Sequence, residues 1–245
     1  RDKFVGPGNP VREHNPYLGY RSIRVLLDRP ELFSTQMRAI LRAGAHGDVR
    51  MMWPMVASVE EVRAAKVILA DAAASLNASG EIFREDMPVG VMIEIPSAAL
   101  VADRLSAECD FLSIGTNDLV QYTLAVDRGN VYVDHLYRPH DPAVLSLVAR
   151  SVDGARRTGT PIALCGEMAG DARYVSLLVG LGLRQLSVSV SRILTTKDAI
   201  RATSRAEAEE VAARAVSADT ATDVETLLGI SVEGRPESAL HGRHD

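Results

Sequence analysis

Several polar residues stand where apolar runs stop. Glu94 closes "VGVMIEIP", Asn117 and Asp118 follow "FLSIG", and Cys165 and Glu167 close "PIALCGEMAG", while Arg50 introduces "MMWPM". If those runs are parallel strands, their carboxyl ends converge on one face and bring sequence-distant groups together. Glu94 and Asp118 then form a carboxylate pair of the kind that holds Mg²⁺, a cation that takes few protein ligands and completes its shell with water and phosphate oxygens. Arg21, Arg50 and Arg128 carry planar guanidinium groups suited to gripping phosphate or carboxylate oxygens two at a time. The inventory describes a site for a small phosphorylated acid bound through a metal.

Each group also has a plainer reading. A single acidic residue after a strand more often caps the next helix than binds metal, and Arg21 or Arg50 taken alone reads as a surface or ion-pair residue. Cys165 could be a small buried hydrophobe, and Cys109 in "AECDF" reads as one. His14, His46, His135 and His140 show no metal spacing and read as loop or core residues. Met51, Met52 and Met55 read as packing.

The elements that must position these groups alternate. Val49–Met55, Val89–Ile95, Phe111–Ile114, Pro161–Cys165 and Leu186–Val190 are apolar almost without alternation, as strands covered on both faces are. Between them, "SVEEVRAAKVILADAAASL" places Ser58 and Glu61 at capping-box spacing and Val59, Val62, Leu69 and Leu76 on one stripe. Asp141 and Pro142 open another helix, with Val144, Leu145, Val148 and Val152 inward. Ser204 with Glu207, and Thr222 with Glu225, repeat the capping spacing near the end. The order predicts βαβ units and a parallel sheet. The opening 16 residues read as a long loop, and the polar stretch from 230 to 245 as a frayed tail.

Composition bounds the function classes. The chain has 245 residues, 47% of them apolar, which suffices for a sizeable core. Its net charge of -5 and scattered basic residues offer no field for nucleic acid. No apolar run reaches membrane-spanning length. Two cysteines without metal spacing or a secretory leader argue for a reducing, cytoplasmic setting.

The segments "NPYLGYRSIR", "RMMWPM", "GVMIEIPSAA", "FLSIGTNDLVQYTLAVDRGN" and "LCGEMAGD", in that order, resemble the phosphoenolpyruvate-binding barrel of Enzyme I, the phosphoenolpyruvate-protein phosphotransferase family of the bacterial sugar phosphotransferase system. The resemblance runs from about Asp2 to Gly229 and implies one barrel domain over 1–229. It implies an α/β fold of the (β/α)8 TIM-barrel type, truncated at its amino-terminal side, with about five of eight strands present. It further implies Mg²⁺ on Glu94 and Asp118, and phosphoenolpyruvate gripped by Arg21, Arg50 and Arg128. Asn117 adds a hydrogen bond, and Cys165 is the acid that protonates the enolate carbon as pyruvate forms. The implied partners are a histidine-bearing phosphotransferase domain, through it the phosphocarrier protein, and a second copy in a homodimer.

The sequence also departs from that pattern. The family's phosphate-accepting histidine sits in a Ser-His context, and no Ser-His pair occurs here. Arg1 stands where a glycine is expected, and a further phosphate-binding arginine belongs to a strand the chain lacks. Three readings stay open: the substrate half of a phosphotransferase, an inactive dimerising or regulatory remnant, and the barrel of a pyruvate phosphate dikinase or phosphoenolpyruvate synthase.

Overall fold

The computed structural model describes residues 13–230. Its centre is a four-stranded sheet, all parallel, in chain order: β1 (Met51–Trp53), β2 (Val89–Ile93), β3 (Phe111–Gly115) and β4 (Ile162–Cys165). The register pairs Met51 with Val89, Ile93 with Ile114, and Gly115 with Cys165. An order that never reverses is the winding of a barrel arc, whereas a doubly wound sheet changes direction at a switch point.

Four of the five expected strands form, with altered ends. β1 stops at Trp53 because Pro54 has no N–H to donate and Met55 turns into the left-handed region at φ 61°. The fifth, expected at Leu186–Val190, is reduced to a single parallel bridge between Leu186 and Leu164. Beyond it Ser187, Ser189 and Val190 are exposed. Among the described residues nothing pairs with the far side of that segment, which leaves it an edge.

Helices α1 (Ile23–Asp28) and α2 (Pro30–Gly44) precede β1, and α3 (Val59–Ala78) connects it to β2. The expected capping box opens α3, with the Glu61 N–H donating to Ser58 Oγ and the Ser58 N–H to Glu61 Oε2. Its buried stripe is Val62, Ala65, Ala72 and Leu76, with Val59 and Leu69 only partly covered. Short helices α4 (Pro96–Leu100) and α5 (Ala102–Ser106) lead to β3, which runs directly into α6 (Thr116–Leu124). Helix α7 (Pro142–Thr158) is capped by Asp141 and buries Val144, Leu145, Val148 and Val152 as expected. After β4 come α8 (Ala172–Gly180), α9 (Ile193–Ala202), α10 (Arg205–Val216) and α11 (Ala221–Leu228).

Two caps differ from expectation. Ser204 precedes α10 but its side chain makes no capping bond. The box on α11 is Thr220 with Asp223, two residues ahead of the expected pair, because Glu225 is drawn into the core. There its Oε1 lies 2.9 Å from His140 Nε2, and His140 Nδ1 lies 2.9 Å from the Tyr174 hydroxyl. Except for Ile230, which packs on the core, the expected tail lies outside the described residues, as does most of the opening loop. No helix among the described residues is long and apolar enough to cross a membrane.

Candidate active site at the carboxyl edge of the sheet

Parallel pairing places Glu94, Thr116–Asp118 and Cys165 at one edge, immediately after β2, β3 and at the end of β4. Glu94 is 1% exposed, and its Oε1 accepts the backbone N–H of Met55 at 2.7 Å. Its Oε2 lies 3.0 Å from where a Cβ on Gly115 would stand, so the missing side chain at 115 leaves room for the carboxylate. Asp118, in the first turn of α6, is 3% exposed. Arg128 Nη2 is 3.7 Å from Asp118 Oδ1, and Arg21 Nη2 is 4.0 Å from Oδ2. A buried carboxylate flanked by two guanidinium groups has the paired environment that burial of charge demands.

The turn after β4 is locked onto α6. Thr116 Oγ1 donates to the Cys165 carbonyl at 2.9 Å, and Asn117 Oδ1 accepts the Glu167 N–H at 3.0 Å. Gly166, at φ +100°, lets this happen, since a Cβ there would stand 2.3 Å from Thr116 Oγ1. The Ser113 hydroxyl reaches Cys165 Sγ at 3.6 Å. An open cleft of about 720 Å³ lies alongside, lined by Asn117, Cys165, Glu167, Arg173, Ser189 and Arg192. The other thiol, Cys109, sits away from this edge after α5, and burial above all pushes it up to about 11.

Arg50 does not join the group. It precedes the first residue of β1, so it lies at the edge where strands enter, about 10 Å of strand from the opposite edge. Its side chain is 56% exposed and only 3.9 Å from Asp48, a surface ion pair. The expectation that Arg50 grips phosphate is not met by its position.

Sequence reasoning missed the residues that hold the others. The Tyr17 ring covers the Arg21 guanidinium at 5.3 Å, and the Tyr122 hydroxyl donates to the Tyr17 carbonyl. Burial first, and the Asp118 charge next, hold the Tyr122 phenol above its ordinary range. The Tyr137 hydroxyl donates to the Asn117 carbonyl at 3.2 Å, and burial pushes that phenol up to about 12. Tyr122 stands four residues after Asp118 on α6, a spacing that puts both on one helix face.

Left-handed backbone at residues other than glycine is costly and occurs, among the described residues, at Ser22, Met55 and Ala125. Ser22 follows Arg21, Met55 donates its N–H to Glu94, and Ala125 ends α6 ahead of Arg128. All three flank the site.

Among the described residues no three or more His, Cys, Asp and Glu side chains cluster as a metal cage. The donor set of two buried carboxylates still fits a hard divalent cation whose other ligands are water and substrate oxygens.

A parallel barrel arc carrying carboxylates, arginines and a thiol at its carboxyl edge defines a β/α-barrel-type domain. The match to known proteins narrows the class. Residues 1–205 match the model of the PEP-utilising enzyme, PEP-binding domain, and the chain belongs to that family. It is 47% identical over 208 residues to the phosphoenolpyruvate-protein phosphotransferase of Priestia megaterium, covering 85% of this chain and 36% of that protein. It is 44% identical over 213 residues to the protein of the same name in Bacillus subtilis, covering 87% and 37%. The chain thus spans somewhat over a third of the length of these relatives. A citrate lyase from Burkholderia xenovorans shares the fold at TM-score 0.50 and 15% identity, over 80% of this chain and 66% of that one.

Proposed function

We propose that this chain is the substrate domain of a phosphoenolpyruvate-protein phosphotransferase: it binds phosphoenolpyruvate with a divalent cation and releases pyruvate. The observation that carries the reading is Asp118, buried between Arg21 and Arg128 at the edge where buried Glu94 follows the neighbouring strand. A cation there, Mg²⁺ by the chemistry of its donors, would be held by Glu94 and Asp118 and would neutralise phosphate oxygens.

The chain's own residues supply the rest. Arg21 and Arg128 already sit beside one carboxylate, so an arriving phosphate or carboxylate meets guanidinium groups with positions set in advance. Asn117, tied at its carbonyl to Tyr137 and at its Oδ1 to Glu167, fixes the near wall. In the reaction the bond from phosphorus to the enol oxygen breaks and the phosphoryl group passes to a histidine ring nitrogen on a separate domain. The enolate left behind forms a C–H bond at its methylene carbon with the proton of Cys165 Sγ, which becomes a thiolate. The carrier protein served through that domain is a further part of the reading, supported by the relatives' printed activity, and pairing of two copies rests on the family resemblance alone.

Protonation can be tested without the histidine domain, because the same proton transfer runs in reverse on pyruvate. With Mg²⁺ in heavy water, the chain is expected to exchange the methyl protons of pyruvate, followed by NMR, and Cys165→Ser to lose the exchange. Equal exchange by both proteins would remove Cys165 from the role, and no exchange by either would count against the reading.

A further inference from the structure

We infer that Ser113 is a positioning residue for Cys165: its hydroxyl donates to Sγ, aims the thiol, and stabilises the thiolate left when the proton departs. The inference deepens the acid role proposed for Cys165 and rests on it for its meaning, though its geometry stands apart from any substrate.

The register explains why this hydroxyl reaches that sulfur. On β3 and β4, Ser113 pairs with Ala163 and Gly115 with Cys165, so Ser113 and Cys165 are diagonal neighbours on one face. Ala163 opposite Ser113 is small and Gly115 opposite Cys165 has no side chain, which leaves the hydroxyl room to reach the sulfur, while Met92, opposite Ser113 on β2, and Glu94 fill the space beside Gly115. Ser113 Oγ donates to Sγ at 3.6 Å, and Ser113 is 8% exposed. Thr116 holds the Cys165 carbonyl at the same time, so the residue is fixed at backbone and side chain from one neighbouring segment.

A general acid must lose its proton and carry the charge. When the S–H bond breaks and the C–H bond forms, Sγ becomes an anion, and a hydrogen bond to a charged acceptor is stronger than one to a neutral acceptor. The same bond therefore favours the thiolate and lowers the cost of proton release, and water returns the proton once pyruvate leaves. Glu167, Asp171, Arg173 and Arg192 line the cleft together with Cys165, and Glu94 lies beside Gly115, the residue paired with Cys165. None of them is altered by a change at Ser113.

The test is the pH dependence of Cys165 alkylation by iodoacetamide in the purified chain, read site by site by mass spectrometry, with Cys109 as internal reference. In Ser113→Ala the Cys165 curve is expected to move to higher pH, with labelling near neutrality slowed about three- to tenfold. Ser113→Thr keeps a hydroxyl and Ser113→Val has the same shape without one. Threonine is expected to follow the wild type and valine the alanine variant, and this pair decides the question if alanine impairs folding. Curves for valine and threonine that coincide would overturn the inference, because a packing role alone predicts that result. A hydroxyl-dependent curve in a chain that leaves pyruvate protons unexchanged would support the hydrogen bond and reject the acid role.

Discussion

At the scale of single residues, position decides more than residue type. Arg21 and Arg50 have the same chemistry, but Arg21 is buried beside Asp118 under the Tyr17 ring and Arg50 is exposed at the far edge. Arg21→Ala is therefore expected to weaken phosphoenolpyruvate binding by tenfold or more, and Arg50→Ala to change it by less than about twofold, in parallel titrations. Equal losses would mean that Arg50 reaches the substrate by a route its position does not suggest. The placement of Glu94, Asn117, Asp118 and Cys165 at one edge was legible in the sequence because each directly follows or ends an apolar run. Arg50 could not be sorted from Arg21 in the same way, since only the fold shows that Arg50 opens β1 at the entry edge while Arg21, ahead of α1, is buried beside Asp118. Ser113, Tyr17 and Tyr122 were not legible either, because they act through register and helix face across distant segments.

At the scale of elements, the buried join between α11 and the body is the clearest case of a pattern that sequence misplaces. Thr222 and Glu225 have capping spacing, but Glu225 instead faces His140, which the spacing of histidines gave no reason to single out. Burial first, opposed by the Glu225 hydrogen bond and charge, holds the His140 imidazole below its ordinary value of 6.5, with Arg138 lowering it further and Asp141 raising it. A neutral ring suits both partners, with Nε2–H donating to Glu225 and Nδ1 accepting from the Tyr174 hydroxyl. A group that binds protons less readily when folded contributes stability above its unfolded pKa, and that contribution is lost as the pH falls through the folded value. The melting temperature should thus fall between about pH 7 and about pH 5, and His140→Gln should flatten that dependence. An unchanged slope in the variant would place the sensitivity elsewhere. The strands were legible at their centres, where both faces are buried. Their ends were not, because Pro54, Met55 and the exposed serines after Leu186 decide them through hydrogen bonding and missing neighbours.

At the scale of the molecule, the sheet is an arc, and it leaves apolar surface beside its last bridge. Val190 is 85% exposed and Leu194 74%, with Ile193 next to them at 41%. Such a patch favours association, so Leu194→Lys is expected to lower concentration-dependent light scattering by the chain, and identical scattering would show that the patch is idle. The α/β class and the incomplete barrel were legible from the alternation of runs and helices and from the resemblance, whereas the shortened fifth strand depends on what does or does not pack beside it. Strained backbone at Met55 and buried carboxylates at Glu94 and Asp118 are costs carried at one edge, and their concentration there is what a ligand site requires. Calorimetric titration of phosphoenolpyruvate with and without Mg²⁺, in the wild type and in Glu94→Gln, tests that claim most directly. The expected result is saturable binding that needs the metal and is lost in the variant while the fold, followed by circular dichroism, is kept. A folded wild type that binds no phosphoenolpyruvate at millimolar concentration, or binds it equally well without metal and without Glu94, would contradict it.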